Sequence, residues 1–233
     1  MNRSYEQELM DQAGNDPELM AEDLRNLRIL NRYLNGTRSV LVAFKRLLGR
    51  ARLERFTALD VGTGSADIPA TLVQWAERRS IAAKVVALEV EALTARIAAR
   101  HTDCLPGISV VRGDAGAAPF LPASFDFVVA SQFLHHFSEE KIVELLKRWA
   151  PLARKAIVVS DLIRHPAAYH GIRLLTALST RNVMTLTDAP LSVRRALTVD
   201  EWRDLFRQAA LGPIEIISVL PFRIAAVISL EAD

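Results

Sequence analysis

Apolar and polar residues follow two different rhythms along this chain, and the change of rhythm divides it. Between Pro17 and Leu34, the residues Leu24, Leu27, Leu30 and Leu34 recur at steps of three and four, the spacing of one face of an amphipathic helix. Asn35-Gly36 offers the left-handed conformations that end such a helix, and a second helix is predicted over Val40 to Leu48. After residue 55 the rhythm changes. "FTALDV", "KVVALEV", "ISVVRGD", "FDFVVAS" and "KAIVVSD" are short and mostly apolar without alternation, as strands buried on both faces of a parallel sheet must be. Helices are predicted between them over Ala66 to Arg79, Glu91 to Arg100 and Glu139 to Trp149. Repeated strand–helix order predicts a doubly wound α/β sheet.

The tail departs from that pattern. Thr198 and Glu201 form a capping box for a helix over Val199 to Ala210. Two further strands, "IEIISVL" and "FRIAAVISL", follow with only Pro221 and its neighbours between them. A parallel crossover needs a dozen or more residues, so this pair must be antiparallel. The expected architecture is a Rossmann-like, mostly parallel seven-stranded sheet with a C-terminal antiparallel hairpin. Residues 1–50 are expected to form a helical cap or lid and residues 51–233 the main domain, with a helical insertion at about 164–197.

Composition narrows the setting. In 233 residues, half are hydrophobic and 24% charged, with a net charge of +2, which is ordinary for a soluble globular chain. No basic block with interleaved aromatics suggests nucleic acid, and no uncharged apolar run approaches the ~18 residues of a membrane helix. Cys104 is the single cysteine, so no internal disulfide is possible. A cytoplasmic protein, monomer or homodimer, acting on a small molecule without nucleic acid or membrane insertion, is expected. The five histidines show neither HxxxH nor HExxH spacing, and no metal set is predicted.

Candidate chemistry concentrates in "FTALDVGTGSADIPATLVQW". Gly62 and Gly64 permit a sharp turn and close approach of backbone to a ligand, and the helix that follows offers free amides. Glu89, at the end of the second strand, stands where a carboxylate meets the vicinal hydroxyls of a ribose. NAD and S-adenosylmethionine both carry that ribose. A second carboxylate in the loop, Asp67 beside Asp60, opposes a pyrophosphate but is compatible with a sulfonium and an amino group. Asp114, in "RGDAGAAPF", can accept from an adenine amino group.

On these residues the chain resembles the class I S-adenosylmethionine-dependent methyltransferases, most of all the branch acting on small molecules. "LDVGTGSADIP" is similar to their first motif, "VVALEV" to their second-strand acid, and "GDAGAAPFLPASFDFVVASQFLHHF" to their adenine loop and fourth strand. The third glycine of the first motif is replaced by Ala66, and the usual "LKPGG" turn by "WAPLARKA". The resemblance implies S-adenosylmethionine as cofactor, held by Asp60, Gly62, Gly64, Asp67, Glu89, Asp114, Ala115 and Ser131, with Gln132 near the methionine end.

Methyl transfer from a sulfonium needs a positioned nucleophile and, for a hydroxyl, a base. His135 is expected as base or orienting group with His136 as its buried partner. Tyr169 and Arg173, four residues apart on one helical face, are a second pair that could meet substrate, Tyr169 also acting in catalysis. Asn31, Arg32, His136 and Arg195 complete the expected substrate contacts, Arg195 as a carboxylate or phosphate clamp. O-methylation of a phenol or hydroxyl is the expected reaction. C-methylation of a quinone-like or polyketide ring, an NAD(P)-dependent oxidation and a non-catalytic cofactor-binding module are the alternatives.

Overall fold

The computed structural model describes residues 1–12, 14–49 and 53–230. The domain boundary expected at residues 50 and 51 lies outside the described residues. Helix α1 spans Pro17–Tyr33, its start fixed by Pro17 and by the Asp16 carboxylate, which accepts from the amides of Glu18 and Leu19. Asn35 makes the left-handed turn at φ 62°, so Gly36 opens the next helix, α2 (Gly36–Leu48), four residues before the predicted start. Gly36 serves close packing. A Cβ there would lie 2.8 Å from Asn31 Oδ1.

The main domain then alternates as predicted: β1 (Arg55–Val61), α3 (Asp67–Glu77), β2 (Ala82–Glu89), α4 (Ala92–Thr102), β3 (Ile108–Arg112), β4 (Phe125–Ser131), α5 (Glu139–Trp149) and β5 (Ala153–Leu162). Two helices follow, α6 (Pro166–Ser179) and α7 (Val183–Arg195), then α8 (Val199–Ala209), β6 (Ile214–Val219) and β7 (Arg223–Ser229). Thr198 and Glu201 make both hydrogen bonds of the capping box ahead of α8.

The seven strands form one sheet in the order β3-β2-β1-β4-β5-β7-β6. β1 to β5 are parallel, and β7 enters antiparallel between β5 and β6. Alternation along each strand divides the core into two layers. Leu59, Val61 and Leu146 join Trp149 and Trp202 on the side of α5 and α8. Phe56, Leu72 and Trp75 join Phe44 on the side of α2 and α3. Phe44 sits among Phe56, Phe127 and Trp75 at ring-centroid distances of 5.5, 5.2 and 6.3 Å. The expected helical cap thus divides in two. α2 covers the sheet, whereas α1 and the segment before it pack on α7 and α4, over the carboxyl ends of the strands. No helix among the described residues is long and apolar enough to cross a membrane.

Candidate active site

Parallel strands deliver their following loops to one edge, and a cavity of about 1110 Å³ opens there, between that edge and the cover of α1, α6 and α7. The loop after β1 turns through Gly62 (φ 64°), Gly64 (φ 55°) and Ala66 (φ 57°), so alanine takes a left-handed conformation where the third glycine is usual. Gly62 tolerates no side chain, since a Cβ would fall 2.1 Å from the Phe133 ring. At Gly64 nothing lies within 4 Å of such a Cβ, leaving the backbone open to the cavity.

Glu89 ties that loop. Its carboxylate accepts from Gly64 N at 3.0 Å and from Glu91 N at 3.1 Å, and burial raises its pKa against those bonds. Asp60 is 2% exposed. One of its oxygens accepts from Thr63 Oγ1 at 2.6 Å and the other has no partner. Burial pushes its carboxyl up to about 8, with the neighbouring Asp67 and Glu89 charges adding. Asn31 of α1 donates to Asp67 Oδ2 at 3.1 Å, and Gln132 donates to Asn31 Oδ1 at 2.5 Å, so α1 is joined to both α3 and the loop after β4. Ser131 Oγ is buried without a partner. Asp114 caps a short turn over Ala115–Ala117 through Gly116 N at 2.7 Å. Two orphaned oxygens, an open glycine cradle and three carboxylates along one wall fit S-adenosylmethionine, which brings hydroxyls, an amino group and a sulfonium cation.

Opposite this wall, residues 3–12 run as a strap across the loop that carries His135 and His136. Arg3 donates to the carbonyls of Arg195 and Phe137, each at 2.7 Å, and pairs with Glu139 at 2.7 Å. The amides of Leu9 and Met10 each donate to Asp188 of α7 at 2.9 Å. The strap brings two unforeseen carboxylates to the histidines. His135 Nδ1 lies 2.7 Å from Asp161 at the end of β5, and its Nε2 lies 3.7 Å from Glu8. His136 Nδ1 lies 2.8 Å from Asp11, and its Nε2 lies 3.9 Å from the other oxygen of Glu8. Glu8 is 1% exposed, and burial pushes its carboxyl up to about 7.

Several expected contacts fall elsewhere. His135, not His136, is the more buried of the pair, because Asp161 draws it under the strap. Tyr169 and Arg173 do share a face of α6, but the helix turns Ala168, Gly171, Ile172 and Leu175 to the cavity, and neither Tyr169 nor Arg173 lines it. Arg32 is exposed outside the cavity while its neighbour Asn31 lines it. Arg195 is buried and clamps the protein itself. Its guanidinium donates to the carbonyls of Glu6, of His136 at 2.6 Å and of His135 at 3.4 Å, with Nε 3.7 Å from Glu8. The sequence spacing predicted no metal set, yet the strap places Glu8 within ligating reach of both histidines.

A sheet in this order, with a glycine loop after β1 and an acid ending β2, defines a class I methyltransferase fold. Residues 58–156 match the family model of a methyltransferase domain. Solved structures agree over nearly the whole chain. A SAM-dependent methyltransferase from Aquifex aeolicus aligns over 93% of this chain and 100% of its own, with 15% identity and a TM-score of 0.65. Human N-acetylserotonin methyltransferase in complex with SAM aligns over 97% of this chain and 62% of its own, with 18% identity and a TM-score of 0.64. The CurJ carbon methyltransferase aligns over 96% of this chain and 63% of its own, with 13% identity and a TM-score of 0.66. No curated protein sequence matches. Residues 58–156 thus match a methyltransferase domain, and the chain as a whole shares the fold of solved S-adenosylmethionine-dependent methyltransferases.

Proposed function

We propose that the protein methylates a hydroxyl group of a small, partly apolar acceptor. One observation carries this reading: two histidines that line the cavity, each held at Nδ1 by a carboxylate, bring their Nε2 atoms together beside Glu8. A hydroxyl acceptor must lose a proton as it attacks, and the side chains suited to manage that proton converge here. The acceptor site is lined by Met20, Leu27, Ile172 and Leu175, with Asn31 as a polar contact, which favours a ring or short chain bearing few polar groups.

The cofactor supplies an already activated methyl group. The Gly62–Gly64 backbone and Glu89 suit the ribose, Asp114 and Ala115 the adenine end, and Asp60, Asp67 and Ser131 the methionine end. Asp161 and Asp11 orient the two imidazoles, and α1 with the strap closes the cavity against water. Expulsion of water strengthens each electrostatic contact inside and holds the acceptor near attack distance.

The test is methyl transfer from a labelled donor to a panel of phenols and alicyclic alcohols, with product mapping by mass spectrometry and NMR. A methyl ether is expected. His136→Ala is expected to lose about 10²–10⁴-fold in rate while S-adenosylhomocysteine affinity stays within a few-fold. A methyl group found only on carbon, or no transfer to any hydroxyl by a protein that binds the cofactor, would overturn the reading.

A further inference from the structure

The arrangement around Glu8 is too open for hydrogen bonding and too converged for chance. Its oxygens stand 3.7 Å from His135 Nε2 and 3.9 Å from His136 Nε2, beyond the ~3.2 Å limit of an ordinary N–H···O bond. Both imidazoles offer Nε2 as the free nitrogen, because each Nδ1 lies against a carboxylate, Asp161 at 2.7 Å and Asp11 at 2.8 Å. Carboxylate–histidine pairs of this kind orient imidazoles toward a metal and raise their basicity. His135 Nε2 and Glu8 Oε1 are both buried without a hydrogen bond, on side chains 3% and 2% exposed. Two unpaired buried atoms aimed at one point cost stability unless something occupies that point.

We propose that Glu8, His135 and His136 form a binding site for one first-row divalent cation of the Zn(II) type, open on one side to the cavity. Ligand atoms lie ~2.0–2.2 Å from zinc, so neighbouring ligands on one ion stand roughly 3–3.6 Å apart. The two histidine–Glu8 separations exceed this by a few tenths of an ångström, and all three ligand atoms lie within 4.8 Å of one another. Two imidazoles and one carboxylate favour zinc, cobalt, manganese or ferrous iron over magnesium, which prefers oxygen and retains its water. Charge agrees. Glu8, Asp11, Asp161 and Asp188 surround the point, against which stand Arg3 and Arg195, both committed to backbone carbonyls and Arg195 3.7 Å from Glu8. Three protein ligands leave coordination positions facing the cavity, and an acceptor carrying a hydroxyl beside a second oxygen would fill them. The role of the ion in methyl transfer rests on the proposed function; its binding does not. A cation there would occupy both Nε2 lone pairs and take over from the imidazoles as the group that activates the acceptor: it would lower the proton affinity of the acceptor's hydroxyl, which gives its proton to solvent as it binds, and fix its oxygen in place.

The experiment strips the full-length protein with a chelator and titrates it with Co(II), reading visible absorption and calorimetry in the absence of S-adenosylmethionine. One Co(II) per chain is expected, displaced by Zn(II) and not by millimolar Mg(II). Glu8→Gln and His136→Ala are each expected to weaken Co(II) binding at least ten-fold. Circular dichroism and S-adenosylhomocysteine binding serve as checks that each variant is folded. A folded wild type that takes up neither Co(II) nor Zn(II), or variants that bind them unchanged, would overturn the site. Chelation that leaves methyl transfer at full rate would overturn its catalytic role. Cation binding without methyl transfer to any hydroxyl would uphold the site and remove the proposed function.

Discussion

Replacing Arg195 by methionine separates two accounts of the same side chain. If the guanidinium clamps the strap, its loss strands the carbonyls of Glu6 and His136 and removes the cation 3.7 Å from the buried Glu8 carboxyl. Hydrogen bonds from a charged donor contribute about 1.5–3 kcal/mol each, and breaking a buried ion pair costs about 3–5 kcal/mol. These terms share atoms and do not add. The strap can also detach locally, which limits the loss, so about 3–5 kcal/mol is expected. Against a typical total of ~5–15 kcal/mol, that is large. Urea unfolding followed by the fluorescence of buried Trp149 and Trp202 measures it, and limited proteolysis should cut the variant within residues 1–16. Arg195→Lys keeps the charge but not the planar fork, and should recover only part. An Arg195→Met protein with a wild-type urea midpoint, a protected N-terminus and only a raised KM would refute the clamp and return Arg195 to the acceptor.

Glu89→Gln places an amide group against either Gly64 N or Glu91 N, both donors, and removes the charge facing the proposed ribose site; S-adenosylhomocysteine affinity should fall about 10–100-fold by calorimetry. Gly62→Ala drives a Cβ into the Phe133 ring, so cofactor binding and thermal stability should both drop, and a variant that binds normally would show the ring free to move. Asp60→Asn tests the buried acid. Its folded pKa is raised from 3.8 to about 8, so its stabilising share is whole below pH 4 and lost as pH rises through 8. The wild type should therefore lose up to about 1.4 kcal/mol per pH unit across that window through this group, and Asp60→Asn should flatten the curve of denaturation midpoint against pH.

The fold was legible wherever order depends on neighbours in sequence. Helix α5 begins and ends where its pattern predicted, and the brevity of the connection at Pro221 required the antiparallel pair. The strand order, with β7 between β5 and β6, needed the structure, because periodicity reports burial and not which edge a strand joins. The grouping of Gly62, Gly64, Asp60 and Glu89 along one wall of the cavity was legible for the same local reason: they follow directly from strands the sequence defines. Glu8 was not. It sits in a polar stretch without helix or strand rhythm, and the segment is held by partners as far as 192 residues away, from Arg3 to Arg195. Tyr169 and Arg173 share a face of α6, but Ala168, Gly171, Ile172 and Leu175 are the residues of that helix that line the cavity.

The strap also fixes an order of assembly. Gly62, Glu89, Asp114 and Ser131 come from one continuous stretch of the chain, so the proposed cofactor wall closes through short loops whose entropic cost is small. The facing wall joins segments far apart in the sequence: Arg3 meets Arg195, and Leu9 meets Asp188, across 192 and 179 residues. Contacts so distant in sequence form late, after the sheet and α7 offer a surface to receive them. During synthesis the strap emerges before its partners around α7 and waits for them. A refolding protein should accordingly regain S-adenosylhomocysteine binding before it regains protection of residues 3–12 from amide exchange, passing through a species that can hold the donor with no completed place for an acceptor.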